Sequence, residues 1–294
     1  MRKEVLVIYN PKSGKNGANA MLPKVVNGLC ARDCRVTVYP ILSSFGAEEI
    51  LAAEDGKCEH VVCCGGDGSL NHTINGLMRM ENRPLLTYIP SGSTNDFAAS
   101  MGISTDIVKS CQALVNGKPF YYDIGKFNDL YFNYIAAFGA FTQVSYSTPQ
   151  NSKNYLGHAA YIIEGLRHLP IGQYYNVTVT SEEKVYKGDY VYGSVSNSTS
   201  IGGVSLGNSR DISMNDGLFE VLLIKAPKNV LEVQNIIASI LMQNFDSPYI
   251  DYFKSRSVKL EFASPTSWTL DGEFGGEVSS AQISVINKAI GLMK

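Results

Sequence analysis

His60-Val-Val-Cys-Cys-Gly-Gly-Asp-Gly-Ser-Leu-Asn71 is the stretch whose reading decides the fold. An apolar run, His60–Cys64, leads straight into Gly65, Gly66, Asp67, Gly68 and Ser69. Leu70, Ile74, Leu77 and Met78 then recur at helical spacing across Leu70–Arg79. A strand, a glycine turn and a helix in that order bring backbone N–H groups and a helix N-terminus to one point, which suits a phosphate group. Glycine lets a ligand approach the main chain closely. Ser69 either caps the helix or bonds the phosphate. A plain strand–helix turn is the alternative, but it does not need three glycines around an acid and a hydroxyl. The loop is not a Walker A sequence, and Asn71 stands where a dinucleotide fingerprint has its third glycine.

Outward from that loop, strand-like runs at Val5–Tyr9, Arg35–Tyr39 and Leu85–Ile89 alternate with helical stretches such as Ala47–Glu54. This alternation predicts a parallel sheet flanked by helices. The loop Pro90-Ser-Gly-Ser-Thr-Asn-Asp-Phe97 repeats the strand–loop–helix geometry, with Ser93, Thr94 and Asn95 as hydrogen-bonding groups and Asp96 as a carboxylate. In a parallel sheet both loops emerge at carboxyl ends of strands, where such folds bind ligands. Asn10-Pro11-Lys12-Ser13-Gly14-Lys15 follows the first strand and belongs on the same edge. Its lysines either meet phosphates or stay solvated. After about Asp123 the pattern changes to alternating runs, at Tyr131–Ala137, Tyr175–Thr180, Tyr190–Ser196, Phe219–Ile224, Val258–Phe262 and Gln282–Ile286, with helices near Tyr155–Leu169 and Val230–Gln243. The expected architecture is therefore an α/β N-terminal domain with a parallel sheet over 1–125 and a mainly antiparallel β-sandwich over 126–286. The last residues, about 287–294, are candidates to return to the first domain.

The 294 residues are 45% apolar and 18% charged with net charge −2, which fits a globular protein and gives no global basic field for nucleic acid. The opening apolar run, Val5 to Tyr9, is too short for a signal-peptide core, and no later run is long enough to span a bilayer. The expected location is cytoplasmic, or peripheral at the inner face of the membrane. All six cysteines fall in the first 111 residues without paired CxxC motifs, so buried reduced thiols are expected rather than a zinc ribbon. His72, His158 and His168 show no metal spacing.

Six motifs in order carry a resemblance: Asn10-Pro11 with Gly14-Lys15, Gly65–Ser69, Gly92-Ser-Thr-Asn-Asp96, Asp123-Ile-Gly125, Asp216-Gly-Leu218 and Leu270-Asp-Gly-Glu273. The sequence resembles the diacylglycerol kinase catalytic-domain family, the bacterial lipid kinases related to sphingosine and ceramide kinases. The resemblance runs along nearly the whole chain and implies a first domain like that of phosphofructokinases and NAD kinases. It also implies ATP and magnesium as cofactors, nucleotide in a cleft, and a lipid reached at the membrane surface, with no transmembrane segment. A homodimer is left open. It makes Glu273 the proton acceptor with Asp271 beside it. It gives Asp67, Asp96 and Asp123, each after an expected strand end, to the catalytic magnesium, and Ser213, Asp216 and Leu218 to a structural magnesium. Without it, Trp268–Glu273 and Asn215–Gly217 read equally as surface turns. Lys153–His168 reads as a helix whose apolar face either packs inward or docks near the lipid entrance. Serine replaces the family's threonine at Ser69 and Ser93. A threonine pair usual after the second strand is absent, with Ile41 and Leu42 in its place and Ser43 or Ser44 as substitutes. Because NAD kinases and phosphofructokinases share the Gly-Gly-Asp-Gly loop, a soluble-substrate kinase and a non-catalytic nucleotide- or lipid-binding sensor are the competing functions.

Overall fold

The computed structural model describes residues 2–13, 17–92, 95–139, 172, 174–197, 200–201, 204–205, 213–242 and 244–294. The chain forms two compact units, Met1–Tyr122 with Lys288–Lys294, and Asp123–Asn287.

The first unit contains β1 (Lys3–Tyr9), α1 (Gly17–Cys30), β2 (Cys34–Pro40), α2 (Ala47–Ala53), β3 (His60–Gly65), α3 (Asp67–Arg79), β4 (Leu85–Pro90), α4 (Asp96–Met101), α5 (Ile107–Asn116) and the start of β5 (Pro119–Phe127). The strand order is β2-β1-β3-β4, every pair parallel. Leu292 near the end of the chain adds a parallel contact to Leu86. Strand side chains alternate between faces. Val5, Val7, Val62, Cys64 and Ile89 pack with Val25 and Leu29 of α1 and Cys111 and Leu114 of α5. On the other face Thr73 of α3 donates to Cys63 Sγ (3.3 Å). There α2 and α3 approach so closely that a Cβ on Gly76 would lie 2.6 Å from Leu51 Cδ1. Helices on both faces explain why β3 is buried throughout and reads as a continuous apolar run. Cys34, Cys63, Cys64 and Cys111 are buried free thiols, whereas Cys30 is exposed and Cys58 half-buried, so the expectation of burial holds for only part of the set. Burial pushes the Cys63 thiol up to about 12, so it stays protonated.

The second unit adds β6 (Leu130–Phe132), β7 (Ile135–Gly139), β8 (Tyr175–Ser181), β9 (Val185–Ser196), β10 (Ser200–Ile201), β11 (Val204–Ser205), β12 (Phe219–Lys225), α6 (Val230–Leu241), β13 (Ile250–Ser255), β14 (Ser257–Leu270) and β15 (Glu273–Met293). The pairings of β5 with β6, of β7 and β8 with β9 and β14, of β10 with β11, of β12 with β9 and β13, and of β14 with β15 are antiparallel. The expected sandwich of two facing sheets is replaced by a ladder that closes on itself. β9 pairs with β8 through Val185–Tyr190 and with β7 through Tyr192–Ser196, while β14 pairs with β8 through Val258–Phe262 and with β7 through Trp268–Leu270. Long strands can serve two neighbours in this way if they bend. The register of β14 shifts between Glu261 and Thr266, around Pro265, which has no N–H to give the ladder. Trp268 anchors the core, its ring 4.9 Å from Phe127 and 5.0 Å from Phe138 between centroids. The expected helix at Tyr155–Leu169 lies outside the described residues.

One buried acid makes this unit pH-sensitive. Glu220 on β12 sits opposite Ser196 on β9 and Lys254 on β13, whose Nζ is 3.4 Å from Oε1. Its Oε2 has no hydrogen-bond partner. Burial outweighs the attraction of Lys254 and raises the carboxyl to about 7 from 4.5. Between those values the folded protein holds a proton that the unfolded chain has released. Stability therefore falls as pH rises through this window, and the loss is complete above it, worth on the order of 3 kcal/mol. Glu220→Gln is expected to flatten that part of the melting-temperature profile. Identical slopes in the two proteins would show that Glu220 is not the titrating group.

Candidate nucleotide and catalytic sites

In the first unit, the parallel register aligns the ends of three strands, Tyr9 with Cys64 and Gly65 with Pro90. The loops that follow are tied to one another. Asn10 donates from its backbone to Cys64 O (3.0 Å) and from Nδ2 to Ser69 Oγ (3.1 Å). Asn10 Oδ1 accepts from the Lys12 N–H, and Ser13 Oγ lies 2.8 Å from Ser91 Oγ. The Ser91 N–H donates to Gly65 O (2.8 Å), and Asp67 Oδ1 accepts from the Phe97 N–H (3.3 Å). Asn95 holds a left-handed backbone (φ 54°), and its amide both accepts from Gly92 N–H and donates to Gly92 O, each at 2.9 Å. Asparagine tolerates that backbone better than most residues. Helix α3 begins at Asp67 after Gly66, a residue with no side chain to cap it.

The two glycine loops touch. A Cβ on Gly66 would stand 3.1 Å from Gly92 Cα, and one on Gly92 would stand 2.6 Å from Gly66 Cα and 2.9 Å from Asn95 Oδ1. Gly92→Ala is expected to force the loops apart. It should cost about 1–3 kcal/mol of stability, read by thermal melting. An unchanged melting temperature would mean that the loops part without consequence.

In the second unit, Leu270 and Glu273 pair across a two-residue turn whose central residues, Asp271 and Gly272, have φ of 52° and 88°. Two successive positive φ values define the tight hairpin turn that Asp-Gly favours. Asp271 is buried, and its carboxylate is fully engaged with the bend between β6 and β7. Asn133 N–H donates to Oδ2 (2.7 Å) with its side-chain amide at 3.3 Å, while the N–H groups of Tyr134 and Ile135 donate to Oδ1 at 2.9 and 3.1 Å. Glu273, two residues on, is exposed. The expected strand Tyr131–Ala137 is split because these three N–H groups turn to Asp271 instead of a neighbouring strand.

Asp123 lies within β5 rather than after a strand end, correcting the expectation from the sequence. It is fully buried in the second unit; Oδ2 accepts from Gly217 N–H (2.7 Å) and Oδ1 from Asn287 Nδ2 (2.9 Å). It thereby anchors the turn that carries Ser213, Asp216 and Leu218. There Ser213 Oγ donates to Asn215 Oδ1 (2.7 Å) and Leu218 N–H donates to Asp216 Oδ1 (3.1 Å), with Asp216 exposed.

Residues 4–127 match the diacylglycerol kinase catalytic domain. Over 278 residues the chain is 30% identical to a diacylglycerol kinase of Bacillus subtilis (strain 168), spanning 93% of this chain and 91% of that protein. A diacylglycerol kinase of Staphylococcus epidermidis is 30% identical over 283 residues, 95% of this chain and 88% of that protein. The chain belongs to the diacylglycerol kinase family. A crystal structure of a diacylglycerol kinase from Bacillus anthracis superposes with TM-score 0.81 at 23% identity, covering 99% of this chain and 96% of that one. At that identity the likeness establishes the fold.

For this member of the diacylglycerol kinase family, the structure brings together Asn10, Pro11, Lys12, Ser13, Gly65, Gly66, Asp67, Gly68, Ser69, Leu70, Asn71 and Asn95 around the joined loops. Gly14, Lys15, Ser93 and Thr94 lie outside the described residues, and for Asp96 only the backbone, at the start of α4, is described. After β2, the Ile41 N–H donates to Tyr9 O (2.8 Å), and Ser43 and Ser44 are exposed in the turn between Leu42 and Phe45. Sequence reasoning did not single out Ser91, Asn133, Tyr134 or Asn287. None of these carried a signal in the sequence, because each contact joins segments far apart in the chain or lies in a loop backbone.

Proposed function

We propose that the chain transfers the γ-phosphate of ATP to the hydroxyl of diacylglycerol. Membership of the diacylglycerol kinase family is the observation that carries this reading, and the joined loops after β1, β3 and β4 support it by offering a phosphate-binding edge. The loops and the N-terminus of α3 hold the nucleotide, with the backbone of Gly65–Gly68 meeting its phosphates. The lipid oxygen forms a bond to the γ-phosphorus as the bond from that phosphorus to the β–γ bridging oxygen breaks. The hydroxyl proton passes to the Glu273 carboxylate, and ADP and the phosphorylated lipid leave. Asp271 fixes the turn that presents Glu273.

Among the described residues no cluster of three or more His, Cys, Asp or Glu side chains forms a ready metal cage. Magnesium needs only one or two carboxylates and keeps several waters. The all-oxygen set of Asp216 with the Ser213 and Leu218 carbonyls fits a structural ion, and Asp67 and Asp96 fit the nucleotide-borne one. Asp123 would act there by fixing the 213–218 turn. When bound with ATP, magnesium offsets charge on the phosphates.

Among the described residues no helix is long and apolar enough to cross a membrane. In this reading the lipid is met at the bilayer surface. The test is transfer of labelled phosphate from ATP and magnesium to diacylglycerol, monoacylglycerol, phosphatidylglycerol, sphingosine and ceramide in mixed micelles, with NAD and fructose 6-phosphate as soluble acceptors. Label in diacylglycerol is the expected result; label only in a soluble acceptor would overturn the proposal.

A further inference from the structure

Helix α6 buries one side and leaves an unusual other side. Ile236 and Ile240 pack on Ala137, Tyr192, Leu222, Ile224 and Ile250 of the sheet below. The opposite side exposes Val230 and Leu231 (61% and 69%) at one end, and Leu241 and Met242 (61% and 79%) at the other. An interval of eleven residues is three helical turns, so Val230 aligns with Leu241 and Leu231 with Met242, about 17 Å apart along the axis. Gln234 and Ala238 lie between them on the same stripe, which carries no charged residue. Glu232, the single acid of the helix, is turned away to its start, where Oε2 accepts from the Lys228 N–H (2.7 Å).

We infer that this outward stripe of α6 is a membrane-docking surface that lays the helix flat on the bilayer holding the substrate. The inference rests on the lipid-kinase reading for the identity of that surface. Two observations favour a bilayer over a protein. A stripe one helix wide and about 17 Å long offers on the order of 200 Å², against about 800 Å² per partner in a stable protein interface. A flat bilayer needs no matching groove, and a helix with apolar residues at both ends and no charge between them seats its whole length in the headgroup–acyl boundary. The stripe is also connected to the chemistry. Ile135 packs against the apolar cluster beneath α6, and its N–H donates to Asp271 Oδ1, which holds the turn of Glu273. Docking through α6 thus fixes the level of that turn relative to the lipid hydroxyls.

The experiment is flotation of the full chain with phosphatidylcholine vesicles containing diacylglycerol, without ATP, beside phosphorylation of long-chain diacylglycerol in the vesicles and of a water-soluble short-chain diacylglycerol. Leu231→Asp with Leu241→Gln alters both ends of the stripe, and Leu231→Ser with Met242→Ser repeats the change without a charge. Both are expected to reduce vesicle binding and vesicle-borne turnover roughly tenfold or more, leaving melting temperature and short-chain turnover unchanged. Val185→Ser, at another exposed apolar site of the same unit, should change nothing. Vesicle binding at the unaltered level in both α6 variants overturns the inference. So does a shift from dimer to monomer with binding retained, which would make the stripe a contact between copies. Failure of the unaltered chain to phosphorylate either diacylglycerol counts against the lipid-kinase reading instead, because flotation decides docking separately.

Discussion

Glu273→Gln is expected to lower kcat for phosphoryl transfer by about 10²–10⁴-fold, the usual worth of a positioned proton acceptor. The amide matches the carboxylate in shape but cannot take up the hydroxyl proton. Glu273 is exposed at the first position of β15, so the fold has little to lose, and surface changes of this kind usually stay within about 0.5 kcal/mol. On the proposed function the KM for ATP should also hold, since the loops after β1, β3 and β4 belong to the first unit. A variant that kept full kcat would remove Glu273 from the mechanism, whereas one that lost nucleotide affinity with turnover would point to a binding role.

Asp271→Ala should act through stability first and activity second. Three backbone N–H groups, those of Asn133, Tyr134 and Ile135, donate to this buried carboxylate. Removing it strands them, at about 3–5 kcal/mol, or roughly 10 °C of melting temperature for a unit of this size. Part of the loss comes from forcing alanine into the positive φ of 52°. Asp271→Asn separates the two contributions. Asparagine accepts that backbone conformation and keeps one acceptor, but turns its NH₂ against the remaining N–H donors, so about half the loss is expected. If Asp271→Ala melts like the unaltered chain, the bend between β6 and β7 is held by something else.

The first unit was legible because its local signals agree. The β3 run is apolar end to end, Leu70 to Met78 recur at helical spacing, and glycines mark the turn between them. In helix α1 Pro23 and Gly28 interrupt the apolar pattern, and tertiary packing on Val5, Val7 and Val62 supplies what propensity does not. In the second unit the strand positions were readable but the arrangement was not. Closure of β9, β7, β14 and β8 depends on bends inside long strands, and a period-2 pattern carries no record of which neighbour each half will meet. The resemblance singles out Asp271 and Glu273 by residue type, whereas the engagement of Asp271 with a bend more than a hundred residues earlier depends on pairing that no local pattern encodes. Asp123 shows the same limit: its residue type suggested a ligand, and only the fold reveals Gly217 and Asn287 on its two oxygens.

The placement of Lys288–Lys294 in the first unit has a consequence for how the protein is made. Synthesis runs from the N-terminus, so β1 to β4 leave the ribosome long before their last partner. Until Leu292 reaches Leu86 and Lys294 exchanges hydrogen bonds with Lys118, the outer edge of β4 has no strand beside it. An open edge invites pairing with other chains. A fragment ending at Tyr122 should therefore self-associate more than the full chain at equal concentration, which light scattering would reveal. The nascent first unit depends on completion of the whole second unit before that edge is closed.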